Sequence, residues 1–519
     1  MPRLLAGWSR EAILRAALSA VAVSVLVTGS VIAGAAPAQP GQPVPGRLAA
    51  HTHWLATATS VLAGAPDQVA DSVAGKLLAA APVVVVARPD RPAALAAAAR
   101  SALRAHAPLL LASGRTRASR ADPAGAALRS QIREMRPRAV LAAGPAGPPL
   151  AAQLPGIRVV SSPASLPATG AATPALSRLA LLVRSGPPDA ATLAAVTTAH
   201  AAGARVIAVH GGDPRTDPAA VAALRADQPR QVLAIGAGFG PASVLAARIA
   251  VARTGVQLPG GGQVLFPGHL VVALYGHPGT PALGVLGHQD LPASIARARR
   301  VAAPYRKLSN VPVVPAFEII ATVAEGSPGP DGTYSYATPV ADLRPWVRRA
   351  TAAGMYVVLD LQPGRASLLA QARKYQSLLE LPGVGLALDA EWKLQPGQKP
   401  LRQIGSVSIG EVNGVVRWLA GLTAQHHLPQ KLLVLHQFRL SMIRDERKLD
   451  TSHDDLAILF HMDGQGTPAV KQQTWAAVTR AAPRGVFFGW KDFYVKDHPM
   501  LDPRPTITRT PRLSMISYQ

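Results

Sequence analysis

Asp389 and Glu391 close a short apolar run, Gly383 to Trp392, that reads GVGLALDAEW. On an extended strand, two carboxyl groups two residues apart share one face and stand about 6–7 Å apart. At that distance each alters the other's ionisation, and the pair can do acid and base work on one bond. An apolar run that stops in acids reads as a buried parallel strand emerging at a site. The same ending recurs through the second half of the chain. Tyr275 and His277, Glu318, Asp360 and Gln362, His436 and Gln437, Asp463 and Gln465, and Trp490, Lys491 and Asp492 all finish apolar runs.

Eight such runs, at 269–277, 311–323, 355–364, 384–392, 431–438, 456–466, 485–494 and 512–519, alternate with helical stretches at 290–303, 341–353, 366–380, 411–425 and 470–481. Eight strands over about 250 residues fit a (β/α)8 TIM-type barrel, whose sites form where the strands end. Asp290 is placed to cap the first of these helices. A mouth ringed by acids, amides and aromatics suits a carbohydrate. The chemistry expected there is glycoside hydrolysis, with a protonated acid at the leaving oxygen and a second group opposing charge at the sugar. Glu391 is the expected acid, with Asp389 raising its pKa. Asp463, Asp360 and Glu318 are candidates for the second role. Tyr275, His277, Gln437, Gln465 and Trp490 are candidates for holding sugar. A glycan binder with a degenerate barrel is the alternative. A metal-dependent deacetylase would need His436, His461 and Asp463 to converge. No cofactor and no metal is expected.

The run LALDAEW resembles the D-x-E strand of family 18 chitinase-like hydrolases and of family 25 lysozymes. The resemblance implies Glu391 as acid and Asp389 as its partner. Where family 18 carries two earlier acids, this chain has Val384 and Ala387, and the family 25 opening G-x-D-x-S is absent.

The first half looks different. Residues 51–80 read as helical and Ala-rich. Two similar passages follow, each alternating apolar strands with Ala-rich helices, which implies a parallel sheet covered on both faces. Asp122-Pro123 matches Asp217-Pro218, and Leu141 to Gly144 matches Leu233 to Gly236, so an internal duplication is expected. Asp-Pro sets a cap and a first helical residue. The strands VVVVARPD and PLLLASG, and the step RPRAVLAAGPAG with its echo PRQVLAIGAGFG, resemble the cell wall-binding repeat type 2 modules of Gram-positive surface proteins. That resemblance implies retention on anionic wall polymer.

The chain has 519 residues, no cysteine, and a formal charge of +24. The missing thiols exclude disulfides, thiolate metal sites and a cysteine nucleophile. The positive charge favours polyanionic surroundings. No nucleic-acid module is recognisable, so wall glycan or anionic wall polymer is the expected partner rather than nucleic acid. Arg3, Arg10 and Arg15 precede an apolar stretch through 16–38. It reads as an export signal cleaved after Ala38, or as an uncleaved membrane anchor. The expected layout is therefore a signal at 1–38, a linker and helix at 39–80, a duplicated α/β module at 81–258 and a barrel at 264–519. The protein would work outside the cytoplasm, in the envelope.

Overall fold

The computed structural model describes residues 48–112, 123–144 and 147–519. Residues 1–47, with the proposed signal, and Asp122 lie outside them. The chain divides into two compact units, one reaching Arg253 and one running from Thr254 to Gln519. Among the described residues, no helix is long and apolar enough to cross a membrane.

The first unit holds two four-stranded sheets that are parallel throughout. One orders its strands Leu109–Leu111, Val83–Ala87, Ala139–Ala142 and Val159–Val160. The other orders them Arg205–Val209, Leu179–Arg184, Gln231–Ile235 and Thr59–Leu62. Asp217 caps its helix as its sequence predicts, accepting from the amides of Ala219 at 2.9 Å and Ala220 at 3.3 Å. The stretch 51–80 is not one helix. Only Pro66–Leu77 is helical, and the strands Leu48–Thr52 and Thr59–Leu62 precede it. Their parallel partners, Thr169–Thr173 and Gln231–Ile235, are remote in sequence, so no local pattern announces them.

The second unit is a closed barrel of eight parallel strands, with an antiparallel strand Ser335–Ala337 on the end of one of them. The barrel strands are β1 (Leu270–Gly276), β2 (Val313–Ala324), β3 (Tyr356–Leu361), β4 (Val384–Asp389), β5 (Lys431–His436), β6 (Leu456–Met462), β7 (Phe487–Asp492) and β8 (Leu513–Tyr518). β1 pairs with both β2 and β8, which closes the ring. Helices Leu291–Ala302, Val340–Ala352, Leu368–Lys374, Ile409–Gln425 and Pro468–Ala481 occupy the expected stretches. Asp290 caps the first of them through the amide of Ala293 at 2.8 Å. Between β5 and β6 there are short 3-10 turns and a two-residue strand, Ile443–Arg444, that pairs with Val407–Ser408.

Alternate residues of each strand face opposite ways, and both faces are apolar. Val272, Leu274, Phe317, Ile319, Leu433 and Leu435 pack outward in the core shared with the helices. Val271, Ala273, Ala316, Val358, Ala387, Val434 and Leu459 fill the interior, with Leu258, Leu265 and Phe266 in the same cluster. The interior is a packed plug, so any site must lie above it.

Candidate active site

Following the interior positions up each strand leads to a layer in which all eight strands contribute a polar side chain. Tyr275, Glu318, Asp360 and Asp389 come from β1 to β4. His436, His461, Lys491 and Ser517 come from β5 to β8. Register supports the layer directly, since Tyr275 lies opposite Glu318, Asp389 opposite His436, and His436 opposite His461. All eight are buried. Two residues further on comes a second tier, with Ile320, Gln362, Glu391, Phe438, Asp463, Phe493 and Gln519. With Tyr275, Trp392, Gln465 and Lys491, these line a cavity of ≈ 320 Å³.

His436 ties the layer together. Its Nε2 lies 2.8 Å from Glu318 Oε1, and its Nδ1 lies 3.1 Å from Asp463 Oδ2. Both ring nitrogens therefore donate to carboxylates, which makes the ring an imidazolium. Burial pulls its pKa down, but Glu318 and Asp463 outweigh that and hold it well above the usual histidine range. In return, burial would raise Glu318 and Asp463, yet His436, with help from Lys491, holds both below the usual carboxylate range. His461 bonds Ser517 Oγ through Nε2 at 2.7 Å, and burial pushes it down to about 3, so it is neutral. Tyr275 donates to Asp360 Oδ2 at 2.8 Å. Lys491 sets its ammonium 3.4 Å above the Tyr275 ring centre, a cation–π contact.

The remaining acids behave oppositely. Burial, and then the neighbouring Glu391 and Asp360, push Asp389 well above its usual value. Burial and the Asp463 charge raise Glu391 to about 7. Burial raises Asp360 to about 6, with Glu318 adding to it against the pull of His436. Asp389, Glu391 and Asp463 each bring an oxygen within 4.8 Å of the others. Among the described residues, this trio is the set able to hold a cation.

Several expected placements need correction. Asp389 and Glu391 do not share a strand face. β4 stops at Asp389, and Ala390–Trp392 form a 3-10 turn that carries Glu391 onto the cavity wall. Trp490 does not face the cavity. It points outward, its ring 5.9 Å from that of Trp475, with Nε1 donating to Asp492 Oδ1 at 2.6 Å. The inward residue of that strand end is Lys491. Gln437 also points away, donating to Glu446 Oε2 at 2.6 Å. His277 spends both ring nitrogens locally, accepting from the Gly279 amide at 2.9 Å and meeting Thr338 Oγ1 at 3.1 Å. Tyr275, Gln465, Glu391 and Asp463 line the cavity, with Asp389, Asp360 and Glu318 in or next to the polar layer beneath it.

His436, His461 and Asp463 do converge, with the two imidazole rings 5.2 Å apart. They do not form a histidine metal site. Both His436 nitrogens are engaged, His461 Nε2 is bonded to Ser517, and His461 Nδ1 abuts Gly489 of β7. Neither ring offers a free lone pair toward the cavity.

No protein-family model matches the chain, and neither a curated protein nor a solved structure is significantly similar to it.

Proposed function

We propose that the second unit is a glycoside hydrolase of the retaining type, acting on a cell-envelope glycan. The observation that carries this reading is the pairing of Glu391 with Asp463. They line one cavity with oxygens within 4.8 Å, and their surroundings displace them in opposite directions. Two carboxyls whose pKa values are driven apart form an acid and an anion ready for distinct roles. Glu391, half protonated near neutrality, donates to the leaving oxygen. Asp463, kept ionised by His436, opposes or attacks the developing positive charge at the sugar. Their closeness suits retaining enzymes, whose carboxyls stand about 5–5.5 Å apart, better than the roughly 6.5–9.5 Å of inverting ones. Asp389, itself held protonated, sits in the layer beneath Glu391, whose proton is kept by burial and the Asp463 charge and not, as the D-x-E pattern suggests, by Asp389. Trp392, Phe438 and Phe493 supply apolar wall for sugar faces.

The same proposal makes the protein an exported one. The basic flank and apolar stretch of 16–38 serve as a cleaved signal or an anchor. The first unit, whose two parallel sheets order three of their four strands alike but take the fourth from opposite sides in sequence, serves as a duplicated wall-binding module. Incubating the purified chain and its Glu391→Gln variant with peptidoglycan and with chitin-type oligosaccharides tests the hydrolase. Release of new reducing ends by the parent alone supports it. Retention on the glycan without release by both proteins refutes it in favour of a glycan binder.

A further inference from the structure

The donors and acceptors around the cavity do not balance. Asp389 Oδ1, Asp463 Oδ1, Asp360 Oδ1 and Glu318 Oε2 are buried and have no hydrogen-bond partner. Their residues are between 0% and 7% exposed. The free nitrogens near them are few: Trp392 Nε1 and His461 Nδ1 are unpartnered, the latter turned against Gly489, and Lys491 faces the Tyr275 ring. Buried acceptors without donors are costly, so a fitting ligand brings donors.

The charges show the same excess. Taking every strand end in turn, the acids are Glu318, Asp360, Asp389, Glu391 and Asp463, against the cations His436 and Lys491. Tyr275, His461, Gln362 and Ser517 carry no charge. Lys393 is matched by Glu411 at 2.9 Å, and Asp492, on the outer face of β7, has Lys471 beside it.

We propose that the cavity selects a glycan whose sugars bear free amines, with one ammonium seated among Asp389, Glu391 and Asp463. This rests on the hydrolase reading for the identity of the ligand as a sugar. The geometry fits an ammonium. A point equidistant from three oxygens no more than 4.8 Å apart lies within about 2.8 Å of each, the length of a charge-assisted N–H···O bond. An ammonium brings three donors and no acceptor. An acetamide brings a carbonyl oxygen, a single N–H and no charge, so it offers the acids fewer donors than an ammonium does. In the empty cavity, protons on Asp389 and Glu391 hold the place of the cation.

The test is calorimetric titration of the full chain with glucosamine oligomers and with N-acetylglucosamine oligomers of equal length. At about pH 6 the amine is charged, and the amine form should bind about tenfold tighter or more. Asp389→Asn should shrink that difference, with Asp463→Asn as a second variant should the first not fold. The comparison on the unaltered chain decides by itself if neither folds. Equal or tighter binding of the acetylated form overturns the proposal, as does no binding of either. Magnesium, calcium, manganese and zinc salts are titrated alone as well. Tight binding of one of them that the Asp389 variant loses, without any amine preference, assigns the trio to a metal and overturns it too. Amine-selective binding without release of product leaves this inference standing and sinks the hydrolase. Glu391-dependent release from both forms with no preference does the reverse.

Discussion

Replacing His436 with leucine removes the cation that bridges the buried carboxylates of Glu318 and Asp463. In the parent it makes charge-assisted bonds of 2.8 Å to Glu318 and 3.1 Å to Asp463, and its side chain is wholly buried. The variant strands both acids with no hydrogen-bonded cation and only the more weakly acting Lys491 nearby, and breaking a buried pair this way costs about 3–5 kcal/mol. At about 2–4 °C per kcal/mol for a domain of this size, the melting point should fall by about 6–20 °C. The pH dependence is the sharper signature. In the parent, Glu318 and Asp463 have depressed folded pKa values. They therefore contribute stability above the unfolded carboxylate pKa, and that contribution is lost as pH falls through the folded values. In the variant the same acids keep only the weaker pull of Lys491 against burial, and their values rise. Stability is then retained below the unfolded pKa and lost as pH rises. The gap between the two proteins should be widest at about pH 7 and close toward about pH 4.5. Tryptophan fluorescence during denaturation can follow it, since five of the seven tryptophans lie in the second unit. A gap below about 1 kcal/mol, or one of equal size at both pH values, would refute the clamp.

Three other outcomes are expected. Glycan hydrolysis should fall as pH rises through about 7, because Glu391 acts protonated and titrates there, and Glu391→Gln should lose about 10²–10⁴ in rate; an unchanged alkaline limb in an active Glu391→Gln protein would move the acid elsewhere. Trp490→Phe should cost about 1–3 kcal/mol by leaving buried Asp492 short of a donor, yet leave KM for glycan unchanged in initial-rate assays; a several-fold rise in KM would put Trp490 in the cavity. Gly489→Ala should destabilise by about 1–3 kcal/mol, since its Cβ would stand 2.3 Å from His461 Nδ1 and 2.9 Å from a Leu459 methyl; a melting point equal to the parent's would mean that His461 can move freely.

The amino-acid sequence alone determined the barrel and the end of it that holds the chemistry. Eight apolar runs ending in polar residues are enough for that, because a strand buried on both faces is apolar until it leaves the core. It also determined local features such as the Asp290 and Asp217 caps, whose bonds span two or three residues. The same two-sided burial hid which residue of each strand end turns inward. Val434 and Leu435 are equally greasy, though one lies in the plug and the other against helices. So the sequence points to Trp490 and Gln437 as sugar contacts, each one position from the residue that turns inward, Lys491 and His436. Only closure of the ring fixes that parity, and only closure brings β2 across the mouth from β5 and its neighbour β6, so that His436 reaches both Glu318 and Asp463. The acid pair was legible as a D-x-E, but its chemistry was not. Asp463 is kept ionised by an imidazolium 27 residues away, and Glu391 is kept protonated by burial, and neither condition exists until the tertiary structure forms.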